Sequence, residues 1–145
     1  MTTHGPKELE REGRLIRAHT RASLMSDTKW RRLLTALNNP ALELRQCVIK
    51  FVGDPIERTI SKSFGLHLPR PWIDSFAFGP IPLRSIEWLL FPCVASYDRG
   101  DPSFPKQRVG QDVDQAASII AGLGRYPFEL SGRGLLITGH LPVMG

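Results

Sequence analysis

The sequence is short of the residues from which most catalytic sites are built. Its histidines are His4, His19, His67 and His140, and no two share the spacing of a metal-binding pair. Its two cysteines, Cys47 and Cys93, lie far apart in apolar, strand-like surroundings. They make no zinc site and read as two buried thiols. No Gly-X-Ser-X-Gly nucleophile elbow is present. A phosphate-cradling glycine loop is missing too, because Gly122-Leu123-Gly124 closes a helical pattern instead of opening one. The acids Asp98, Asp101, Asp112 and Asp114 fit no calcium-loop spacing and read as solvated loop residues. No apolar run is long enough for a membrane span, and the first residues lack the apolar core of a secretory signal. A cytoplasmic, non-enzymatic protein with no cofactor and no metal is the expectation. Repeats and low-complexity stretches are absent.

What is present describes one domain. A chain of 145 residues can bury a core without staples. The net charge is +5, but residues 25–145 carry 14 basic and 11 acidic groups. A body charge of +3 is common in proteins that bind no polyanion, so basicity argues only weakly for nucleic acid. Residues 1–24 stand apart. They hold Lys7, Arg11, Arg14, Arg17 and Arg21 against Glu8, Glu10 and Glu12, with Leu9, Leu15 and Ile16 as the large apolar residues. This reads as a basic, disordered leader, with at most a transient helix around 7–18. Met25 is a candidate translation start, and the ordered domain is expected over 25–145.

The spacing of Trp30, Leu33, Leu34 and Leu37 predicts a helix over 28–38, stopped by Asn38-Asn39-Pro40. Gln46–Val52 reads as a strand and Gly53-Asp54-Pro55 as a turn. Residues 56–70 are ambiguous. Pro69-Arg70-Pro71 is a rigid connector, and Trp72–Phe78 reads as a strand with Trp72, Asp74, Phe76 and Phe78 on one face. The central apolar run is Leu83–Pro92. Alternation puts Ile86, Trp88 and Leu90 on one face and Glu87, Leu89 and Phe91 on the other. Glu87 is its only acid, and reads as a carboxylate at a sheet edge or paired with an arginine. Residues 93–112 are the longest irregular stretch. A second helix is predicted over 112–123, on Val113, Ala116, Ala117 and Ile120. Phe128–Leu130 and Leu135–Ile137, joined by Ser131-Gly132-Arg133-Gly134, read as a hairpin.

Several of these stretches together resemble one family. Asp27-Thr28-Lys29-Trp30 opens the first helix, and Ile86-Glu87-Trp88-Leu89 forms the centre. Tyr126-Pro127-Phe128-Glu129-Leu130 is followed by Leu136-Ile137-Thr138-Gly139. In this order they look like a small bacterial domain family of unknown function, over about Met25 to His140. The chain departs from that pattern at His140, where an aromatic residue is expected, and in its leader. The small size and lack of catalytic residues are similar to toxin-immunity proteins, by analogy alone.

The expected fold is α+β: a small, mostly antiparallel sheet packed on one face by two helices. The expected function is binding of another protein through the long loop, at Tyr97, Asp98, Arg99, Phe104, Lys106 and Arg108, since tyrosine and arginine are favoured at interface hot spots. The alternative is nucleic-acid binding through Lys29, Arg31, Arg32 and the basic leader.

Overall fold

A computed structural model describes residues 6–61, 65–67, 72–75, 78–97 and 100–143. The chain begins with α1 (Pro6–His19), β1 (Thr20–Ser23), α2 (Asp27–Leu37), β2 (Gln46–Phe51) and β3 (Arg58–Ser61). Three short strands follow, β4 (Gly65–His67), β5 (Trp72–Asp74) and β6 (Ile81–Pro82). Next are the central strand β7 (Ile86–Pro92), β8 (Val94–Tyr97) and β9 (Gln107–Gly110). The chain ends with α3 (Val113–Leu123), β10 (Phe128–Ser131), β11 (Gly134–Thr138) and β12 (His140–Pro142).

The main sheet has five strands in the order β10-β11-β7-β2-β3, and every pairing in it is antiparallel. With helices and mostly antiparallel sheets, this is the α+β fold that the sequence implies. Both predicted helices form. Ser26 caps α2 by accepting the Lys29 amide, and Asp112 caps α3 by accepting that of Gln115. Trp30, Leu33, Leu34 and Leu37 of α2 and Val113, Ala116 and Ile120 of α3 share one core with Cys47, Ile49, Phe51, Leu89, Phe91, Leu135 and Ile137 of the sheet. The alanines on α3 shorten the distance to the strands beneath.

The central run departs from simple alternation. Leu83–Ser85 is a turn of 3-10 helix, and the strand starts at Ile86. Lys50 pairs with Trp88 but Phe51 pairs with Ile86, so Glu87 is the extra residue of a bulge. The bulge moves Ile86 into the core beside Leu89 and Phe91, not onto the face of Trp88 and Leu90. Glu87 lies in a central strand, not at an edge, and pairs with Lys50 at 3.0 Å instead of with an arginine.

Residues 6–24 also differ from the expected disordered leader. They form α1 and β1, and β1 pairs with β12 through Ala22–Leu141 and Ser23–His140. Ile16 is buried, and the Glu12 carboxylate accepts from the Ser85 hydroxyl at 2.8 Å. The helix is held by these contacts, which its own marginal apolar content does not reveal. The ambiguous stretch after Gly53 supplies edge strand β3. The strand expected over 72–78 is shorter, ending at Asp74 with a turn in which the Gly79 amide donates to Ser75 O. The Pro69-Arg70-Pro71 connector and Phe76 lie outside the described residues.

Three of the four stretches that carry the family resemblance meet at Gly139. A Cβ on Gly139 would fall on the Ile86 carbonyl oxygen and 3.0 Å from the Trp30 ring. The Gly139 amide donates to Glu87 O at 2.7 Å. Only a residue without a side chain lets the α2 tryptophan close over this crossing of strands.

Candidate binding surface

Of the expected site residues, Tyr97 and Arg108 fall on paired strands of a hairpin, and Phe104 and Lys106 on the connection between them. β8 pairs with β9, with Ser96 opposite Arg108 and Tyr97 opposite Gln107. Two glutamine side chains hold this hairpin to the sheet. The Gln46 amide accepts from Ser96 N and donates to Ser96 O, both at 3.0 Å. Gln111 accepts from Arg45 N at 2.6 Å and Gln46 N at 2.8 Å, and donates to Pro92 O at 2.7 Å and Gln46 O at 3.0 Å. Each carboxamide offers a donor and an acceptor in the manner of a backbone segment, so the seam is satisfied without a strand there. The sequence carried no signal for it beyond two unremarked glutamines.

Tyr97 is half-buried and lines a groove of about 440 Å³ with Gln46, Thr59 and Ser61. Phe104, 60% exposed, lies with Lys106 on the connection between the strands, and Arg108 is exposed on β9. Asp98 and Arg99 lie outside the described residues. The structure therefore brings Tyr97 to the edge of the main sheet and leaves Phe104 at the surface.

Of the residues of the nucleic-acid alternative, Arg31 and Arg32 line one hollow of about 570 Å³ together with Asp27, and Lys29 is engaged elsewhere. Lys29 donates to Arg125 O at 3.3 Å and stands 5.5 Å over the Tyr126 ring. Arg31 lies close enough to Asp27 to influence its carboxyl. Arg32 is exposed. A separate hollow of about 480 Å³ is lined by Arg14, Arg17 and Arg84 together with Glu10 and Gly13.

The sequence reading did not single out the other face of the main sheet. Val48, Trp88, Leu90 and Leu136 point away from the core, and the register places Leu136 beside Leu90 and Leu90 beside Val48. Trp88, Leu90 and Leu136 bound a cavity of about 340 Å³. Its polar walls are Glu57 from one edge of the sheet and Glu129, Ser131 and Arg133 from the other. Strands lie about 4.8 Å apart, so side chains from opposite edges share one cavity only where the sheet cups. Thr59 stands beside Val48, so the Tyr97 groove adjoins this face. The signal was available in the sequence: Trp88 and Leu90 alternate with Leu89 and Phe91, and a strand apolar on both faces needs two covers.

The groups that could do chemistry are placed elsewhere. Burial pushes the Cys47 thiol up to about 12, which leaves it protonated and unreactive at neutral pH. His140 is buried, with Nε2 2.6 Å from Arg84 O and Nδ1 2.8 Å from Ser23 Oγ. A carbonyl only accepts, so Nε2 carries a proton, and in the neutral imidazole Nδ1 accepts from the serine hydroxyl. The pair resembles a nucleophile and base, but neither residue lines any of the cavities above. The imidazole ties β12 to β1 and to the turn before β7.

A family model for a family of unknown function, DUF6678, matches residues 13–144. The chain belongs to that family. The match begins inside the segment that the sequence set apart as a leader, in agreement with the packing of α1 and β1. No curated protein and no solved structure matches the chain.

Proposed function

We propose that this DUF6678 member is a non-catalytic domain that binds another protein through the open face of its main sheet. One observation carries the reading. The helices α2 and α3 cover one face of a sheet whose central strand is apolar on both, leaving Trp88 half-buried on the other. Tryptophan and arginine dominate the energetics of protein interfaces, and this face holds Trp88 and Arg133 around one cavity. The adjoining hairpin, with Tyr97, Phe104 and Arg108, extends the surface. A partner-neutralising role of the toxin-immunity kind, or a regulatory one, is the form of binding that suits so small a domain.

The test is affinity capture from lysate of the producing cell, with and without nuclease, comparing the wild-type chain with Leu136→Lys. The expected result is one stoichiometric protein that survives nuclease and is lost in the variant, at unchanged melting temperature. Capture that the variant retains would remove the open face from the reading. Recovery that collapses with nuclease would favour nucleic acid, with affinity that falls steeply with salt.

A further inference from the structure

We propose that the cavity on the open face takes a lysine or arginine side chain from a basic segment of the partner protein. This rests on the protein-binding reading and names the partner's chemistry. The argument begins with charge. Two of the cations near this face are already paired: Lys50 with Glu87 at 3.0 Å, and Arg58 with Asp54 at 2.6 Å. Glu57 and Glu129 form no ion pair with any described residue, and both line the cavity. They outnumber Arg133, so the cavity is locally acidic in a chain of net charge +5.

The apolar lining fits the same occupant. Lysine and arginine lay their methylene stems on apolar surface while the charged head stays near water. Leu90 and Leu136 provide that surface, and Trp88 provides the aromatic ring most attractive to a cation. A volume of about 340 Å³ lies at the small end of ligand pockets, which span roughly 300–1,000 Å³. It suits one long side chain, not a helix face. Arg133 gives the site a direction, because it repels a cation from the β10–β11 turn and would pair with an acidic neighbour in the incoming segment.

The full-length chain can be titrated with capped hexa-arginine, with capped hexa-glutamate as the control. Trp30 and Trp72 are buried while Trp88 is partly exposed, so tryptophan emission reports this site. The expected result is a saturable emission change with hexa-arginine and none with hexa-glutamate. Trp88→Phe should remove the change. Glu57→Gln combined with Glu129→Gln should weaken binding roughly tenfold, with the melting temperature unchanged. No saturable change, or equal affinity in the double variant, overturns the proposal. If hexa-arginine fails while Leu136→Lys still abolishes partner capture, the cationic ligand is overturned and the binding face stands. Capture untouched by Leu136→Lys overturns both.

Discussion

The two faces of the main sheet are built from the same strands, residue by residue in alternation, and end in different states. On the inner face Cys47, Ile49, Leu89, Phe91, Leu135 and Ile137 meet two helices and are closed from water. On the outer face Val48, Trp88 and Leu136 remain half-buried. Apolar content alone does not decide which face is covered, since β7 is rich in it on both. The bulge at Glu87 helps to decide: it adds Ile86 to the inner face and a Lys50–Glu87 ion pair to the outer one. One face is thereby made a core, and the other a surface with an apolar centre and a charged margin.

Neighbouring residues on β11 test that contrast most directly. Ile137 is closed from water and Leu136 is half-buried. Ile137→Ala should cost about 2–5 kcal/mol, the sum of lost transfer energy and a cavity. Leu136→Ala should cost about 1 kcal/mol or less, since water already reaches the site. Urea denaturation measures both as shifts in midpoint at constant slope. Equal losses would break the comparison and mean that something covers the outer face as well.

A smaller effect is expected at the seam that belongs to neither face. His140→Phe puts an aromatic residue where the family resemblance anticipates one. It leaves the Arg84 carbonyl without the His140 donor and the Ser23 hydroxyl without its acceptor. The cost should be about 1–3 kcal/mol in the same denaturation experiment, the penalty for stranding a buried polar group. Unchanged or increased stability would mean that the two hydrogen bonds contribute nothing beyond the ring's packing.

The elements that the sequence disclosed are those whose causes are local. Helix α2 shows its apolar face at Trp30, Leu33, Leu34 and Leu37 and its cap at Ser26, all within a dozen residues. The β10–β11 hairpin shows its turn between its own strands. What stayed hidden depends on distant partners. The β8–β9 hairpin is fastened by Gln46 and Gln111, about fifty and fifteen residues from Ser96. Helix α1 depends on a contact to Ser85, seventy-three residues away. The bulge that turns Ile86 inward is a matter of register between two strands, and no periodicity within one strand contains it. The candidate site was hidden for the same reason: Glu57, Trp88 and Glu129 become neighbours only when the sheet cups.

Two half-buried carboxylates with pKa values shifted in opposite directions carry the contrast into pH dependence, with the smallest effects. Asp27, in the first turn of α2, has its pKa raised chiefly by burial, against the opposing charges of Arg84 and Arg31. Asp54, in the turn after β2, has its pKa lowered chiefly by the Arg58 hydrogen bond and next by the Ile56 amide. The signs are opposite. With a folded pKa above the unfolded one, Asp27 contributes stability that is present below the unfolded value and lost as pH rises through the folded value. With a folded pKa below the unfolded one, Asp54 contributes stability that is present above the unfolded value and lost as pH falls through the folded value. Asp54→Asn should therefore cost a few tenths of a kcal/mol at pH 7, and less in 1 M salt, because the half-buried pair is still reached by water and ions. It should also flatten the loss of stability on acidification. Asp27→Asn should act the other way and remove a decline that sets in as pH rises past the usual carboxylate range. Denaturant midpoints from pH 2 to 7 for the two variants should diverge from wild type in opposite directions. Slopes that change alike would show that the two aspartates sit in equivalent surroundings, and the distinction between a carboxyl governed by desolvation and one governed by its hydrogen bonds would fail.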